Sequence, residues 1–166
     1  ERGYFFESFN KEKFKDLTGI EIEFVQDNEA FSNRGVLRGL HFQKGEFAQA
    51  KLVRVVKGKV LDVVVDVRPN SKTFGQSFSI ILSEENKKQL FVPRGFAHGF
   101  VVLEDDTIFA YKVDNYYQPE AERGLMWNDA DVGIAWPVDK PFVSEKDQHN
   151  LSWRTFTSTN QIKMDH

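Results

Sequence analysis

The sequence predicts an all-β fold of the sandwich or barrel class. Its 166 residues are enough for one domain with a substantial core. Short runs rich in valine, isoleucine and aromatic residues recur between turn signals, and segments typical of helix are few and short. Sixteen phenylalanines indicate a large aromatic interior or a subunit interface. We therefore expect residues 1–166 to form one domain of short strands.

The first part of the chain is expected to alternate between strand and loop. The aromatic run at residues 1–7 predicts a strand with one buried face, and residues 20–26 alternate well enough for another. Between them, residues 10–19 begin with an asparagine cap and end with a glycine, which indicates a short helix. Residues 27–33 are polar and predict a turn.

The polar side chains that most strongly indicate a catalytic role lie in residues 34–51. If Gly35 to Phe42 is a strand, residues two apart share a face, which places His41 on one face and Arg38 on the other. A histidine on an apolar strand is more often a satisfied core residue than a catalytic group. The nearby cations Arg38 and Lys51 strengthen the catalytic interpretation.

The clearest strand signal lies at residues 50–67, which contain eight valines. The Lys57-Gly58 pair near its centre predicts a β-hairpin. After a loop, residues 74–82 alternate again and predict a further strand. Residues 83–88 predict one capped helical turn.

The last strands are expected between residues 89 and 113. Residues 89–102 predict two strands around a Pro-Arg-Gly turn, and residues 107–113 predict another strand, which contains Tyr111. Residues 116–124 form a polar loop. The tail after about residue 148 is polar and is expected to be extended or mobile.

Charge, cysteine content and hydropathy exclude several function classes. The net charge of -3 and pI near 5.8 argue against nucleic-acid binding. Without cysteine, the chain has no disulfides or thiolate chemistry, and the cytoplasm is the expected location. No apolar run approaches the ~20 residues of a membrane-spanning helix. The N-terminus also lacks a signal-peptide pattern.

The sequence predicts neither a metal nor a cofactor. Small β-barrels bind metals through a His-x-His pair, and the corresponding residues here are His41-Phe42-Gln43, with an amide in place of the second imidazole. His41 and His98 without a nearby carboxylate would bind a first-row metal poorly. No serine lies in a nucleophile-elbow pattern, and no glycine-rich loop enters a helix.

Acid–base chemistry is the remaining possibility. A neutral histidine can accept a proton near neutral pH, and the phenol of Tyr111 can donate one. Lys51 and Arg38 could stabilise an oxyanion between the two steps. This set suits proton abstraction beside a carbonyl with reprotonation from the opposite face, as in an epimerase. The residues alone leave open that Lys51 and Arg38 are surface charges and that Tyr111 belongs to the core.

Several motifs together resemble the dTDP-4-dehydrorhamnose 3,5-epimerase family, the RmlC-like cupins. They are the runs Arg34–Gln43, Lys51–Gly58, Pro93–Phe100, Tyr111-Lys112 and Tyr116-Tyr117. The resemblance extends from Arg2 to about Asp147. It implies a cupin-type jelly roll with a few short helices, and a homodimer whose subunits share site residues. It also implies a reaction without metal or cofactor on a dTDP-linked 4-keto-6-deoxy sugar.

The resemblance also implies catalytic roles. His41 matches the base that removes the protons at C3 and C5, and Asp147 resembles the carboxylate that orients it. Tyr111 matches the acid that reprotonates from the other face, and Lys51 matches the cation near the enolate oxygen. Family members usually have a strand before the segment matched by Arg2, so the natural chain is expected to begin earlier.

Further residues match the family's substrate contacts. Arg38 and Arg2 resemble its diphosphate contacts, and Tyr117 matches the ring stacked on thymine. Phe5 and Glu7 resemble nucleoside contacts made by the partner subunit. The complete set of expected substrate-binding residues is Arg2, Phe5, Glu7, Gln26, Asp27, Asn28, Arg38, Lys51, His98, Tyr117, Glu122 and Lys146.

The resulting hypothesis is an epimerase that converts dTDP-4-dehydro-6-deoxy-D-glucose to dTDP-4-dehydro-L-rhamnose in dTDP-L-rhamnose biosynthesis. One alternative is an epimerase that acts at C3 or C5 alone, because the sugar pose decides which proton His41 meets. A second is a cupin that binds nucleotide sugars without catalysis. A third is a metal-dependent cupin, which is disfavoured because Gln43 has an amide where such a cupin has a second imidazole ligand.

Overall fold

Two β-sheets face each other and form a jelly roll, as the sequence predicts. The structure is a computed structural model that describes residues 2–159. The strands are β1 Gln26–Ser32, β2 Val36–Gln43, β3 Lys51–Lys57, β4 Lys59–Asp66, β5 Ser77–Ser83, β6 Gln89–Val92, β7 Phe96–Val102, β8 Thr107–Val113, β9 Glu122–Gly124 and β10 Phe142–Val143. The first sheet has the strand order β1-β8-β3-β6, and the second has the order β10-β2-β7-β4-β5, with β9 beside β2.

Apolar side chains of the two sheets form the core between them. One cluster joins Val53 and Phe109 of the first sheet to Val60 and Phe100 of the second. A second cluster includes Val63 and extends under the later loops. Strand β4 contributes to both clusters, which explains why its valines do not alternate with polar residues.

The hairpin predicted at Lys57-Gly58 is wrong, although both of its strands exist. Strand β3 belongs to the first sheet and β4 to the second, so the chain changes sheets at Gly58. Gly58 has φ of 82°, and a Cβ there would collide with the hydroxyl group of Thr107. A tight corner between two sheets and a hairpin turn both favour glycine, so the sequence pattern could not distinguish the two kinds of turn.

Three predictions for the N-terminal part are also wrong. Residues 2–7 form no strand, because no neighbouring strand of this chain pairs with them, and residues 20–25 are likewise irregular. The polar residues 27–32, predicted as a turn, belong to β1 at the edge of the first sheet. Pairing with β8, more than seventy residues away, makes this segment extended despite its polar composition.

Three short α-helices and two single-turn 3-10 helices, Gly45–Phe47 and Pro119–Ala121, complete the described chain. Helix α1 (Lys11–Thr18) confirms the predicted helix, with Asn10 as its N-cap and Gly19 as its left-handed C-cap. Residues 84–86 form a hydrogen-bonded turn rather than the predicted helical turn.

The other two α-helices lie in the C-terminal part of the chain. Helix α2 is Glu145–Gln148 and helix α3 is Trp153–Ser158. Phe156 of α3 is buried in the core, so the tail is folded as far as this helix. The rest of the predicted tail, residues 160–166, lies outside the described residues. Among residues 2–159, no helix is long and apolar enough to cross a membrane.

Candidate active site

A cavity of about 420 Å³ opens between the two sheets. Its apolar wall includes Phe100 and Phe109, and Phe142 lies at its edge with an exposed ring. Seven of the site residues expected from the sequence also line it. These are Arg38, His41, Lys51, His98, Tyr111, Lys146 and Asp147.

A β-bulge in β2 directs both Arg38 and His41 into this cavity. Arg38 pairs with Phe100 of β7 and His41 with His98, so β2 contains one residue more than its partner between these pairs. The strict alternation expected for this strand, with Arg38 and His41 on opposite faces, is therefore wrong. Gly39 allows the bulge, since it has φ of 108° and a Cβ there would lie 2.6 Å from the His98 carbonyl oxygen.

His41 and Asp147 form a hydrogen-bonded pair in the wall of the cavity. The Nε2 atom of His41 lies 2.5 Å from Oδ1 of Asp147, and the backbone N–H of Gly39 donates to the other carboxylate oxygen at 3.0 Å. Asp147 is in helix α2, whose N-cap Ser144 accepts a hydrogen bond from the Asp147 N–H. These contacts hold the imidazole ring in one orientation.

The charge of Asp147 is maintained by its hydrogen bonds. Burial alone would raise the pKa of this carboxyl, but the hydrogen bonds from His41 and Gly39 outweigh burial and lower it. Asp147 is therefore an anion at neutral pH. Because it occupies Nε2 of His41, the nitrogen left to accept a proton is Nδ1.

The opposite wall of the cavity carries Lys51 and Tyr111. Lys51 begins β3 and Tyr111 lies in the neighbouring strand β8, so both come from the first sheet, whereas His41 comes from the second. The Nζ atom of Lys51 lies 5.8 Å from the centre of the Tyr111 ring. A proton acceptor and a proton donor thus face the same space from opposite sides.

Burial shifts the pKa values of both groups. It lowers the pKa of Lys51 to about 8, although the negative charges of Asp62 and Glu122 oppose the shift. It raises the pKa of Tyr111, a shift that a hydrogen bond from Asn28 reduces. At neutral pH, Lys51 is therefore mainly a cation and Tyr111 a neutral phenol that can donate its proton.

Glu122 links several of the remaining expected residues. One carboxylate oxygen accepts hydrogen bonds from the Tyr117 hydroxyl at 2.9 Å and from the Lys146 ammonium group. The other oxygen lies 4.0 Å from Nδ1 of His41. Burial raises the pKa of Glu122, but the bonds from Lys146 and Tyr117 outweigh it and lower the pKa.

The other expected substrate contacts lie away from the main cavity. Phe5 is 97 % exposed, and Glu7 accepts hydrogen bonds from the nearby Asn10 and Lys13. Arg2 is also exposed, and none of these three side chains lines the cavity.

The expected contacts on β1 also lie outside the main cavity. Asp27 and Asn28 line a separate cavity of about 330 Å³, while Gln26 donates a hydrogen bond to Asn28. Asp27 is also paired with Lys112 at 2.8 Å. Tyr111 lines both cavities and therefore connects β1 with the wall of the main cavity.

Comparison with known proteins assigns the family. A family model described as dTDP-4-dehydrorhamnose 3,5-epimerase matches residues 1–155. The chain belongs to the dTDP-4-dehydrorhamnose 3,5-epimerase family. The member from Escherichia coli K12 is 49 % identical over 165 residues, which cover 99 % of this chain and 86 % of the relative.

Solved structures of family members have the same fold. The dTDP-4-dehydrorhamnose 3,5-epimerase of Elizabethkingia anophelis NUHP1 is 52 % identical with a TM-score of 0.89, covering 93 % of this chain and 86 % of its own. The Legionella pneumophila Philadelphia 1 dTDP-6-deoxy-D-glucose-3,5-epimerase, solved with dTDP-4-keto-L-rhamnose, is 48 % identical with a TM-score of 0.87. The match covers 90 % of this chain and 80 % of that one.

Sequence reasoning missed Asp62, which lies behind the cavity residue His98 and contacts its ring. Both of its carboxylate oxygens lie 2.9–3.0 Å from Nε2 of His98, and both residues are buried. Burial raises the pKa of Asp62, and the adjacent His98 opposes this shift. An aspartate within the valine-rich strand β4 was the available signal, because a carboxylate is seldom fully buried without a partner.

Gln43 has a structural role that its sequence position did not reveal. Its buried amide group donates to the carbonyl oxygens of Phe47 and Tyr116 and accepts from the N–H of Gln118. It thereby holds the loop that carries Tyr117.

Within residues 2–159, no three His, Cys, Asp or Glu side chains are grouped so that they could bind a metal ion.

Proposed function

We propose that this chain is an epimerase that converts dTDP-4-dehydro-6-deoxy-D-glucose to dTDP-4-dehydro-L-rhamnose, on the route to dTDP-L-rhamnose. The observation that carries the proposal is the placement of His41 and Tyr111 on opposite sheets, facing one cavity. Inversion at a carbon requires removal of its proton from one face and addition of a proton to the other. The family membership supports the same reaction.

The proposed reaction needs only protein side chains. Nδ1 of His41 accepts the proton from a carbon beside the C4 ketone, and the electron pair of the broken C–H bond becomes the enolate. The Lys51 cation stabilises the enolate oxygen, an interaction typically worth ~3–4 kcal/mol of transition-state energy. Tyr111 then donates its hydroxyl proton to the other face of the carbon. Two such cycles, at C5 and C3, complete the conversion.

Arg38 is proposed to bind the diphosphate. Its guanidinium group donates to Ser32 at 3.0 and 3.2 Å, which directs it along the edge of the cavity. A guanidinium fork suits phosphate oxygens better than an ammonium group does. With Arg38 at the edge and His41 inside, the sugar ring would lie between the two sheets.

The pH dependence of kcat/KM is predicted to reflect the ionisation of Lys51. Because burial lowers its pKa to about 8, kcat/KM should fall as the pH rises through this value and Lys51 loses its charge. Lys51→Arg should retain the charge and remove this alkaline limb, even if its maximal rate is lower. The control is Lys57→Arg, an exposed lysine at the other end of β3, which should keep the limb. An unchanged limb in Lys51→Arg would contradict the assignment.

We further propose a homodimer in which the N-terminal segment of one subunit contacts the nucleotide in the other. A fully exposed phenylalanine such as Phe5, outside the cavity of its own subunit, is consistent with a contact made by a second copy. Phe5→Ala should raise KM about tenfold, as expected for a lost stacking contact of ~1–3 kcal/mol, and leave kcat nearly unchanged. Leu17→Ala, at an exposed residue of α1, is the control.

Product analysis tests the proposed reaction. The purified protein is incubated with dTDP-4-dehydro-6-deoxy-D-glucose, and the configurations at C3 and C5 are determined by NMR spectroscopy. We expect both centres to be inverted. Inversion at one centre would favour a single epimerase, and binding without conversion would favour a non-catalytic cupin.

We also propose a cytoplasmic location, which the lack of cysteine predicts.

A further inference from the structure

His41 has to lose a proton in the middle of the reaction. If the proposed function is correct, His41 removes two protons in turn from one bound sugar. After the first removal it is an imidazolium and cannot act as a base again. The proton therefore has to leave His41 by a route that does not pass through the cavity that the sugar fills.

Asp147 cannot provide this route. Its side chain is only 4 % exposed, and its second carboxylate oxygen already accepts the N–H of Gly39. Helix α2 and the β-bulge of β2 enclose it. A proton transferred to Asp147 would have no path to solvent and could only return to Nε2 of His41.

Glu122 lies at the other nitrogen and has access to solvent. Its Oε1 atom is 4.0 Å from Nδ1 of His41, a gap that a small movement or one bridging water can close. The Glu122 side chain is 15 % exposed, and its partner Lys146 is 58 % exposed. His41 itself is 27 % exposed, and Lys146 is the most exposed of the three side chains, so the Glu122–Lys146 pair connects Nδ1 with the protein surface.

A further cavity, separate from the two already described, provides space for this path. It has a volume of about 250 Å³ and is lined by His41, Glu122 and Lys146, together with His149 and Asn150 from the segment after α2. Only His41 and Lys146 also line the larger cavity between the sheets. His41 therefore separates the space for the sugar from this smaller space, which is lined in part by charged and polar side chains and can hold water.

We propose that Glu122 receives the proton that His41 has taken from the sugar and passes it to solvent, so that His41 can act again while the sugar remains bound. The N–H bond at Nδ1 breaks, an O–H bond forms at Glu122, and water then takes the proton. His41 becomes neutral and Glu122 an anion again. The carbon receives its new proton from Tyr111, which regains one from solvent.

The charge state of Glu122 suits this role. Its hydrogen bonds from Lys146 and Tyr117 keep its pKa low, so the carboxylate is ionised and ready to accept at neutral pH. It would hold the proton only briefly before releasing it to water.

The ratio of singly to doubly epimerised sugar tests the proposal. In Glu122→Gln, His41 should stay protonated longer, more sugar should dissociate after one inversion, and the ratio at early times should rise about tenfold. Glu122→Asp keeps a carboxylate and should restore much of the effect. The control is Glu120→Gln, an exposed neighbour that contacts Gln118 and not His41. Melting temperatures verify folding of each variant.

Chemical rescue separates proton transfer from sugar positioning. In Glu122→Ala, added formate should enter the space left by the side chain and lower the ratio towards the wild-type value. In Lys146→Met, which loses a predicted substrate contact but keeps the carboxylate, formate should not change the ratio. A wild-type ratio in Glu122→Gln, or no formate response in Glu122→Ala, would overturn the proposal. Wild-type protein that produces no doubly epimerised sugar would instead overturn the proposed function, and with it this inference.

Discussion

His41→Ala is expected to lower kcat/KM by at least about 10³-fold, because it removes the only proton acceptor proposed for the chemical step. The fold should be preserved, since the flanking Leu40 and Phe42 supply the core contacts of this part of β2. His41→Asn should be equally inactive, since an amide can bind Asp147 but cannot accept the proton. Proton exchange at C3 and C5, followed by NMR spectroscopy, is the direct measurement.

Binding measurements make this prediction specific. Calorimetry with dTDP should give an affinity for His41→Ala within a few-fold of wild type, because His41 is not among the predicted nucleotide contacts. Unchanged affinity with lost exchange would identify His41 as a group of the chemical step. If the variant and the wild type bound equally and neither exchanged protons, the chain would be a binding protein rather than an enzyme.

Tyr111→Phe should separate the two proton transfers. We expect the rate of product formation to fall by about 10²- to 10³-fold, because the hydroxyl that reprotonates the enolate is lost. His41 can still remove a proton and return it to the same face. In D₂O, recovered substrate should therefore gain deuterium at C3 or C5 with its configuration unchanged. The phenyl ring keeps its contact with Phe109, so the cavity wall should remain intact.

The control for this variant is Tyr116→Phe. Tyr116 is exposed and lies next to the loop residue Tyr117, and its substitution should leave both product formation and exchange unchanged. Equal loss of product formation and exchange in Tyr111→Phe would contradict the assignment of Tyr111 as the acid. Such a result would mean that the phenol is needed for proton removal as well.

Local patterns predicted most of the strands but not how they associate. Strands β2, β7 and β8 follow from alternating or β-branched sequence, and their bounds agree closely with the prediction. Strand β1 was missed because its polar residues become extended only by pairing with β8. The change of sheet at Gly58 was missed because a glycine step does not reveal which strand will be its neighbour.

For the site, too, nearby sequence predicted individual residues but not the contacts between residues far apart in the chain. His41 and Lys51 stood out through their apolar neighbours and sequence proximity. The partner of His41, Asp147, is 106 residues away, and only the resemblance suggested it before the structure brought the pair together. The bulge at Gly39, which turns Arg38 and His41 to the same cavity, depends on the register with β7. Such contacts are properties of the folded chain rather than of a short sequence window.

The count and position of deuterium in the product test the central claim most directly. The protein is incubated with unlabelled dTDP-4-dehydro-6-deoxy-D-glucose in D₂O, and the product is examined by NMR spectroscopy and mass spectrometry. Proton removal by His41 and reprotonation by Tyr111 at both carbons predict one deuteron at C3 and one at C5, each at an inverted centre. A doubly inverted product with hydrogen at either carbon would contradict the mechanism, and deuterium at a single carbon would contradict the double epimerisation.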